Sequence, residues 1–122
     1  MDPCCILIVD DSPADQFLTK ALLSQLAPNA HIHQAHDGKE ALDILESEAP
    51  AAEVIFLDIN MPVMNGHEFL EVYSEWPDPK APVVMMSSSD NPDDVTCAKA
   101  YPCVKEYLTK PISVQTIEQA LA

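Results

Sequence analysis

The chain has 122 residues, enough for one domain with a true core and too few for two. Its hydrophobic content of 48% and charged content of 21% are a globular balance, and no apolar run approaches the roughly 20 residues that a membrane-spanning helix needs. A formal net charge of −14 excludes nucleic acid and anionic membrane as natural partners, because both repel such a surface, and leaves basic partners and cations.

The opening residues carry no basic segment followed by an apolar one, so no secretory leader is expected and a cytoplasmic setting is the default. Cys4, Cys5, Cys97 and Cys103, with His31, His33 and His36, do not fall at zinc-ligand spacing. Burial as small apolar groups is the expectation for Cys4 and Cys5.

Cys5 to Val9 is an uninterrupted apolar run, the pattern of a strand buried on both faces of a parallel sheet. It ends in Asp10 and Asp11. Ser12-Pro13-Ala14-Asp15 has the form of a helix start, with a serine N-cap, a proline in the first turn and an acid at the third position. Phe17, Leu18, Ala21, Leu22 and Leu26 follow at helical spacing, and Pro28-Asn29 ends the helix. Ala30 to Ala35 reads as a short polar strand suited to a sheet edge. Asp37 and Glu40 have capping-box spacing, and Ala41, Leu42, Ile44 and Leu45 form the apolar face of a second helix. Residues 46–53 are a connector containing Pro50.

Val54 to Leu57 is a second buried run, and it delivers a single carboxylate, Asp58. Met61-Pro62 forbids an easy continuation, and Asn65-Gly66 signals a turn or helix start. The third helix is expected from about Asn65 to Glu75 with Phe69, Leu70, Val72 and Tyr73 inward, stopped by Trp76-Pro77-Asp78-Pro79. Pro82 to Met86 is a fourth strand ending in Ser87, Ser88 and Ser89. Asn91-Pro92-Asp93-Asp94 starts a weakly apolar fourth helix that stops near Tyr101-Pro102. Val104 to Thr109 is the fifth strand, followed by Lys110-Pro111. Ser113 caps a fifth helix with Val114, Ile117, Ala120 and Leu121 inward. Strict alternation of strand and helix predicts one α/β domain over 1–122, a parallel sheet joined by right-handed crossovers.

Asp10, Asp11, Asp58, Ser87 and Lys110 therefore collect on one rim of the sheet, where open α/β folds bind ligands. Asp58 alone would read equally well as a turn residue. Three carboxylates cannot crowd together ionised without a cation or a proton, and all-oxygen ligands suit Mg²⁺. Lys110 and Ser87 are donors for an oxyanion or phosphoryl group. A carboxylate can itself be the nucleophile and form an acyl phosphate. Asp58 is the candidate, since Asp10 and Asp11 precede a helix N-terminus and read better as metal ligands.

Asp10-Asp11, Leu57-Asp58-Ile59-Asn60-Met61-Pro62 with Gly66, Ser87, and Lys110-Pro111 stand in the order and on the elements of a known family. The whole chain resembles the receiver domain of two-component response regulators, of the CheY-like type. The resemblance implies a flavodoxin-like doubly wound (βα)5 sandwich with strand order 2-1-3-4-5, and a phosphoacceptor switch rather than an enzyme. It implies that Asp58 accepts phosphate from a histidine kinase or histidine phosphotransfer protein. Asp11, Asp58 and the backbone carbonyl of Asn60 would hold Mg²⁺ directly and Asp10 through a water, with Mn²⁺ as an alternative ion. Ser87 and Lys110 would hold the phosphoryl oxygens, and Tyr107 would be the switch aromatic that moves with Ser87. A downstream protein would read the face of the fourth helix, fifth strand and fifth helix, on a monomer or weak homodimer. Asn60 and Ser89 would flank the approach of an attacking water.

The chain departs from the family pattern at Ser87, where threonine is commoner, and at Tyr101-Pro102-Cys103-Val104, where Ala-Gly-Ala is frequent. Three other readings stand beside this one. A small-molecule aspartyl-phosphate phosphatase would carry Asp-x-Asp after the first strand. A degenerate receiver would act only as a protein-binding module, which the complete acid, hydroxyl and lysine set opposes. A flavodoxin would need a phosphate-cradling loop where this chain has two acids.

Overall fold

The computed structural model of the chain describes residues 4–47, 52–77, 81–88 and 91–121. Apolar runs become strands and amphipathic runs become helices in strict alternation: β1 Cys5–Val9, α1 Pro13–Leu26, β2 His31–Ala35, α2 Gly38–Glu46, β3 Val54–Asp58, α3 Gly66–Tyr73, β4 Val83–Ser87, α4 Pro92–Lys99, β5 Val104–Thr109 and α5 Val114–Leu121. All pairings are parallel, and the sheet order is β2-β1-β3-β4-β5, a flavodoxin-like doubly wound arrangement.

The uninterrupted apolar runs occupy the centre. Every residue of β1, β3 and β4 is buried. Successive side chains point to opposite faces, so each strand feeds two cores. Leu7, Val9, Ile55, Leu57, Val83 and Met85 pack with Phe69, Leu70 and Tyr73 of α3. Ile6, Ile8, Phe56, Val84 and Met86 pack with Leu23 of α1 and Ile117 of α5. The polar β2 lies at one edge, as its composition predicts. The mixed β5 takes the other edge, where no residue of the strand is fully buried.

Helix starts follow the local chemistry. Ser12 accepts from Asp15 N–H with Pro13 at the first turn, and Asn91 accepts from Asp93 N–H with Pro92 behind it. Asp37 accepts from Glu40 N–H, but the Glu40 carboxylate meets His36 Nδ1 at 3.3 Å instead of reaching back. The reciprocal capping box forms at Asn65 and Glu68, which opens α3.

Besides the half-formed box at Asp37, the structure corrects three expectations. The buried face of α1 is Gln16, Thr19 and Leu23, whereas Phe17 is 77% and Leu18 is 41% exposed. The phase of α1 is set by Gln16, whose amide reaches the backbone at the ends of β1 and β2, so a polar side chain takes the inner position. Val72 of α3 is exposed, because an eight-residue helix with Phe69, Leu70 and Tyr73 inward has turned it to the rim. Cys4 is exposed, one residue ahead of the sheet, while Cys5 is buried. Pro50, Asp78, Pro79 and Ser89 lie outside the described residues. Among the described residues no helix is long and apolar enough to cross a membrane.

Candidate functional site

Asp10 follows β1, Asp58 ends β3, Ser87 ends β4 and Lys110 follows β5. The parallel register sets these ends side by side: Val9 pairs with Leu57, Asp58 with Met86, and Ser87 with Thr109. Oxygens of Asp10, Asp11 and Asp58 lie within 4.8 Å of one another. Asp10 and Ser87 are fully buried, Asp58 nearly so, and Asp11 is exposed. Lys110 Nζ donates to Asp10 Oδ2 at 2.9 Å and to Asp15 Oδ2 at 2.8 Å, and stands 3.7 Å from Asp58 Oδ1. Asp10 Oδ1 accepts from Ser12 N–H at 2.9 Å, and Asp58 Oδ1 accepts from Ile59 N–H at 2.9 Å.

The electrostatics follow from crowding in a desolvated place. Burial pushes the Asp58 carboxyl up to about 6, and the negative charges of Asp10 and Asp11 push the same way. The Lys110 charge and the Ile59 N–H oppose them. For Lys110, burial alone would favour the neutral amine. Its hydrogen bonds to Asp15 and Asp10, with the charges of Asp58 and Asp10, outweigh that and hold the ammonium above its ordinary range. The ionised acids are thus short of positive charge, and Lys110 supplies only part of it. All donors here are oxygens, so the set fits a hard divalent ion such as Mg²⁺ or Mn²⁺.

Every sequence-predicted carboxylate and Lys110 are brought together. Asn60 is exposed, two residues past Asp58. Tyr107 is half-buried on β5, opposite Met85, and packs against the core under α3. Two contributors were not singled out from the sequence. Asp15, visible only as a first-turn acid, pairs with Lys110. Gln16 Nε2 approaches the carbonyls of Asp10, Ala35 and Ile8 at 2.9, 2.7 and 3.3 Å, while its oxygen accepts from Gln34 Nε2 at 3.1 Å. That network pins the backbone of Asp10, and a lone glutamine in a helix gives no sign of it. Gly66 packs directly on the backbone of Asp58. The intervening loop is tightly tied: Gly66 N–H donates to Ile59 O at 2.8 Å, Met64 N–H to Pro62 O at 2.7 Å and Gly38 N–H to Met64 O at 2.9 Å. Val63, at the tip, has φ 66°, a left-handed conformation that is uncommon for a β-branched residue.

Residues 6–122 match the response regulator receiver domain family. Response regulator Rcp1 of Synechocystis sp. is 34% identical over 114 residues, covering 88% of this chain and 77% of that protein. A probable cyclic di-GMP phosphodiesterase of Vibrio cholerae is 35% identical over 120 residues, which is 97% of this chain but only 26% of that much longer protein. Among solved structures, the Mn(2+)-bound form of response regulator Rcp1 superposes with a TM-score of 0.81 at 31% identity, covering 97% of this chain and 89% of that one. The CheX-CheY-BeF3-Mg+2 complex from Borrelia burgdorferi contains a chain that superposes with a TM-score of 0.86 at 27% identity, covering 98% of this chain and 87% of that one. The family is a signalling switch whose acidic residues bind Mg²⁺ or Mn²⁺. With its sheet order, its rim of acids and its lysine, the chain belongs to the receiver domains of two-component response regulators.

Proposed function

We propose that Asp58 is the phosphoacceptor of this receiver. The single observation that carries the reading is its carboxylate, nearly buried at the end of β3, with Asp10, Asp11 and Lys110 around it. An Asp58 oxygen attacks phosphorus of a phosphohistidine on a histidine kinase or phosphotransfer protein. The P–N bond breaks, the imidazole leaves with the electron pair and takes a proton, and an acyl phosphate remains on Asp58.

Asp11, Asp58 and the Asn60 carbonyl would hold a Mg²⁺ ion, with Asp10 acting through water. Once bound, the ion neutralises charge on the carboxylates and on the phosphoryl oxygens. The chain's own donors are the Ser87 hydroxyl and the Lys110 ammonium, one at the end of β4 and one beyond β5. Drawn toward the new dianion, they pull on neighbouring strand ends. Tyr107 stands on β5 and packs against the apolar cluster that includes Ala98 of α4, so the α4–β5–α5 face is where a downstream protein would sense the change. The setting that fits is the cytoplasm, with the domain monomeric or weakly dimeric.

The test is the intact mass after incubation with acetyl phosphate and Mg²⁺. One added phosphoryl group is expected on the wild type and none on Asp58→Ala. No label, or equal label on both, overturns the assignment.

A further inference from the structure

An ammonium has three N–H donors. At Lys110 two are engaged, by Asp10 Oδ2 at 2.9 Å and Asp15 Oδ2 at 2.8 Å, and Asp58 Oδ1 stands farther off at 3.7 Å. The two acids that hold it differ. Asp10 is fully buried, and its second oxygen is fixed by Ser12 N–H. Asp15 is 40% exposed at the side chain and sits on the first turn of α1, where its own N–H is capped by the Ser12 hydroxyl. Asp15 and Lys110 both line a cavity of about 320 Å³ beside the rim, which leaves the Asp15 carboxylate room to turn away. Asp10 cannot leave without stranding a buried charge, whereas Asp15 can return to water at little loss.

We propose that Asp15 is a rival anion for Lys110, one that with Asp10 keeps the ammonium beyond hydrogen-bond distance of Asp58 in the resting protein and so selects against small anionic phosphodonors. The assignment rests on Asp58 as phosphoacceptor and adds the residue that sets which donors can react. Two effects act in the same direction. A donor must bring phosphoryl oxygens to Lys110, and Asp15 already occupies one of its N–H groups. The donor must also approach a rim to which Asp15 adds a fourth carboxylate. A donor protein with a basic side chain beside its phosphohistidine can offer Asp15 a new partner and release Lys110. A small anion has nothing to offer it. Asp15 touches Lys110 and not the reacting atoms, so it is a positioning residue.

The experiment measures initial rates of labelling by acetyl phosphate in Mg²⁺, over a range of donor concentrations, for wild type, Asp15→Asn, Asp15→Ala and Asp15→Glu. Asn and Ala are expected to label several-fold faster, with half-saturation at lower donor concentration. Glu, which keeps the charge, should remain close to wild type. The gain should shrink as salt screens the exposed charge. A purely structural role for Asp15 would lower the thermal midpoint and slow labelling instead. If wild type labels and Asn and Ala are no faster, Asp15 is no rival and the proposal falls while the Asp58 assignment stands. If wild type takes no label, the Asp58 assignment falls and this one with it.

Discussion

A Cβ on Gly66 would lie 2.6 Å from the carbonyl oxygen of Asp58 and 2.8 Å from the Cα of Ile59. The first residue of α3 is therefore pressed against the strand end that carries the central acid, and backbone cannot yield as a side-chain tip can. Gly66→Ala is expected to push Asp58 off its place and to destabilise the fold by about 1–3 kcal/mol, the usual range for overpacking. Urea unfolding reads the stability, and labelling by acetyl phosphate reads the displacement. An alanine variant with the wild-type midpoint and wild-type labelling would mean that the strand end gives way freely.

The raised Asp58 carboxyl makes stability depend on pH in a definite direction. Its ordinary value is 3.8 and its value here is about 6, so the folded protein holds this proton more tightly than the unfolded chain. In the metal-free protein this contribution is full below 3.8 and is lost as pH rises through about 6. Asp58→Asn cannot ionise and keeps what the wild type loses. In chelator at about pH 7.5 it should be the more stable protein by on the order of 2 kcal/mol, with the gap closing near about pH 4. Added Mg²⁺ should narrow the gap by binding the folded wild type. Denaturant titrations of both proteins check this, and a gap that widens toward low pH would contradict it.

Two apolar residues of α1 should respond oppositely to truncation. Leu23 is fully buried between α1 and the sheet, and Phe17 is 77% exposed. Leu23→Ala is expected to cost about 2–5 kcal/mol and Phe17→Ala less than about 0.5 kcal/mol, despite the larger ring removed. A large loss at Phe17 with little change at Leu23 would place α1 in the phase that its apolar spacing alone suggests.

Gln16→Leu keeps the bulk of a side chain that is 3% exposed and deletes its amide. The Asp10 and Ile8 carbonyls then lose this donor, and Gln34 Nε2 loses its acceptor; the Ala35 carbonyl keeps Asp10 N–H at 3.0 Å. A loss of about 1–3 kcal/mol is expected from the unpaired groups. Because the network fixes the backbone of Asp10, affinity for Mg²⁺ should fall in the same variant. A calorimetric titration with unchanged affinity would show that Asp10 is held well enough by Ser12 alone.

Much of this molecule is legible locally. Buried runs such as Cys5 to Val9 and Val54 to Leu57 cannot avoid becoming central strands, since only a sheet covered on both faces satisfies their backbone and their side chains together. Ser12-Pro13 and Asn91-Pro92 announce their helices by capping chemistry that needs no distant partner. The acids at the strand ends could be gathered from topology, because parallel strands must all end on the same side. The failures occur where a distant contact overrides a local pattern. Phe17 and Leu18 have the right spacing for a core, yet the helix is turned by the bonds that Gln16 makes to carbonyls of β1 and β2.

The amino-acid order by itself determined the alternation of elements, the family, and the acids, hydroxyl and lysine that crown the sheet, because these follow from short-range periodicity and from which residues follow each apolar run. Folding alone decided which two carboxylates Lys110 grips, how closely Gly66 lies under Asp58 and which side of α1 meets the sheet. Lys110 and Asp15 are 95 positions apart, and their 2.8 Å contact depends on the packing of α1 beside the end of β5. Distances of that kind are set by the simultaneous fit of many side chains, which no single stretch of chain encodes.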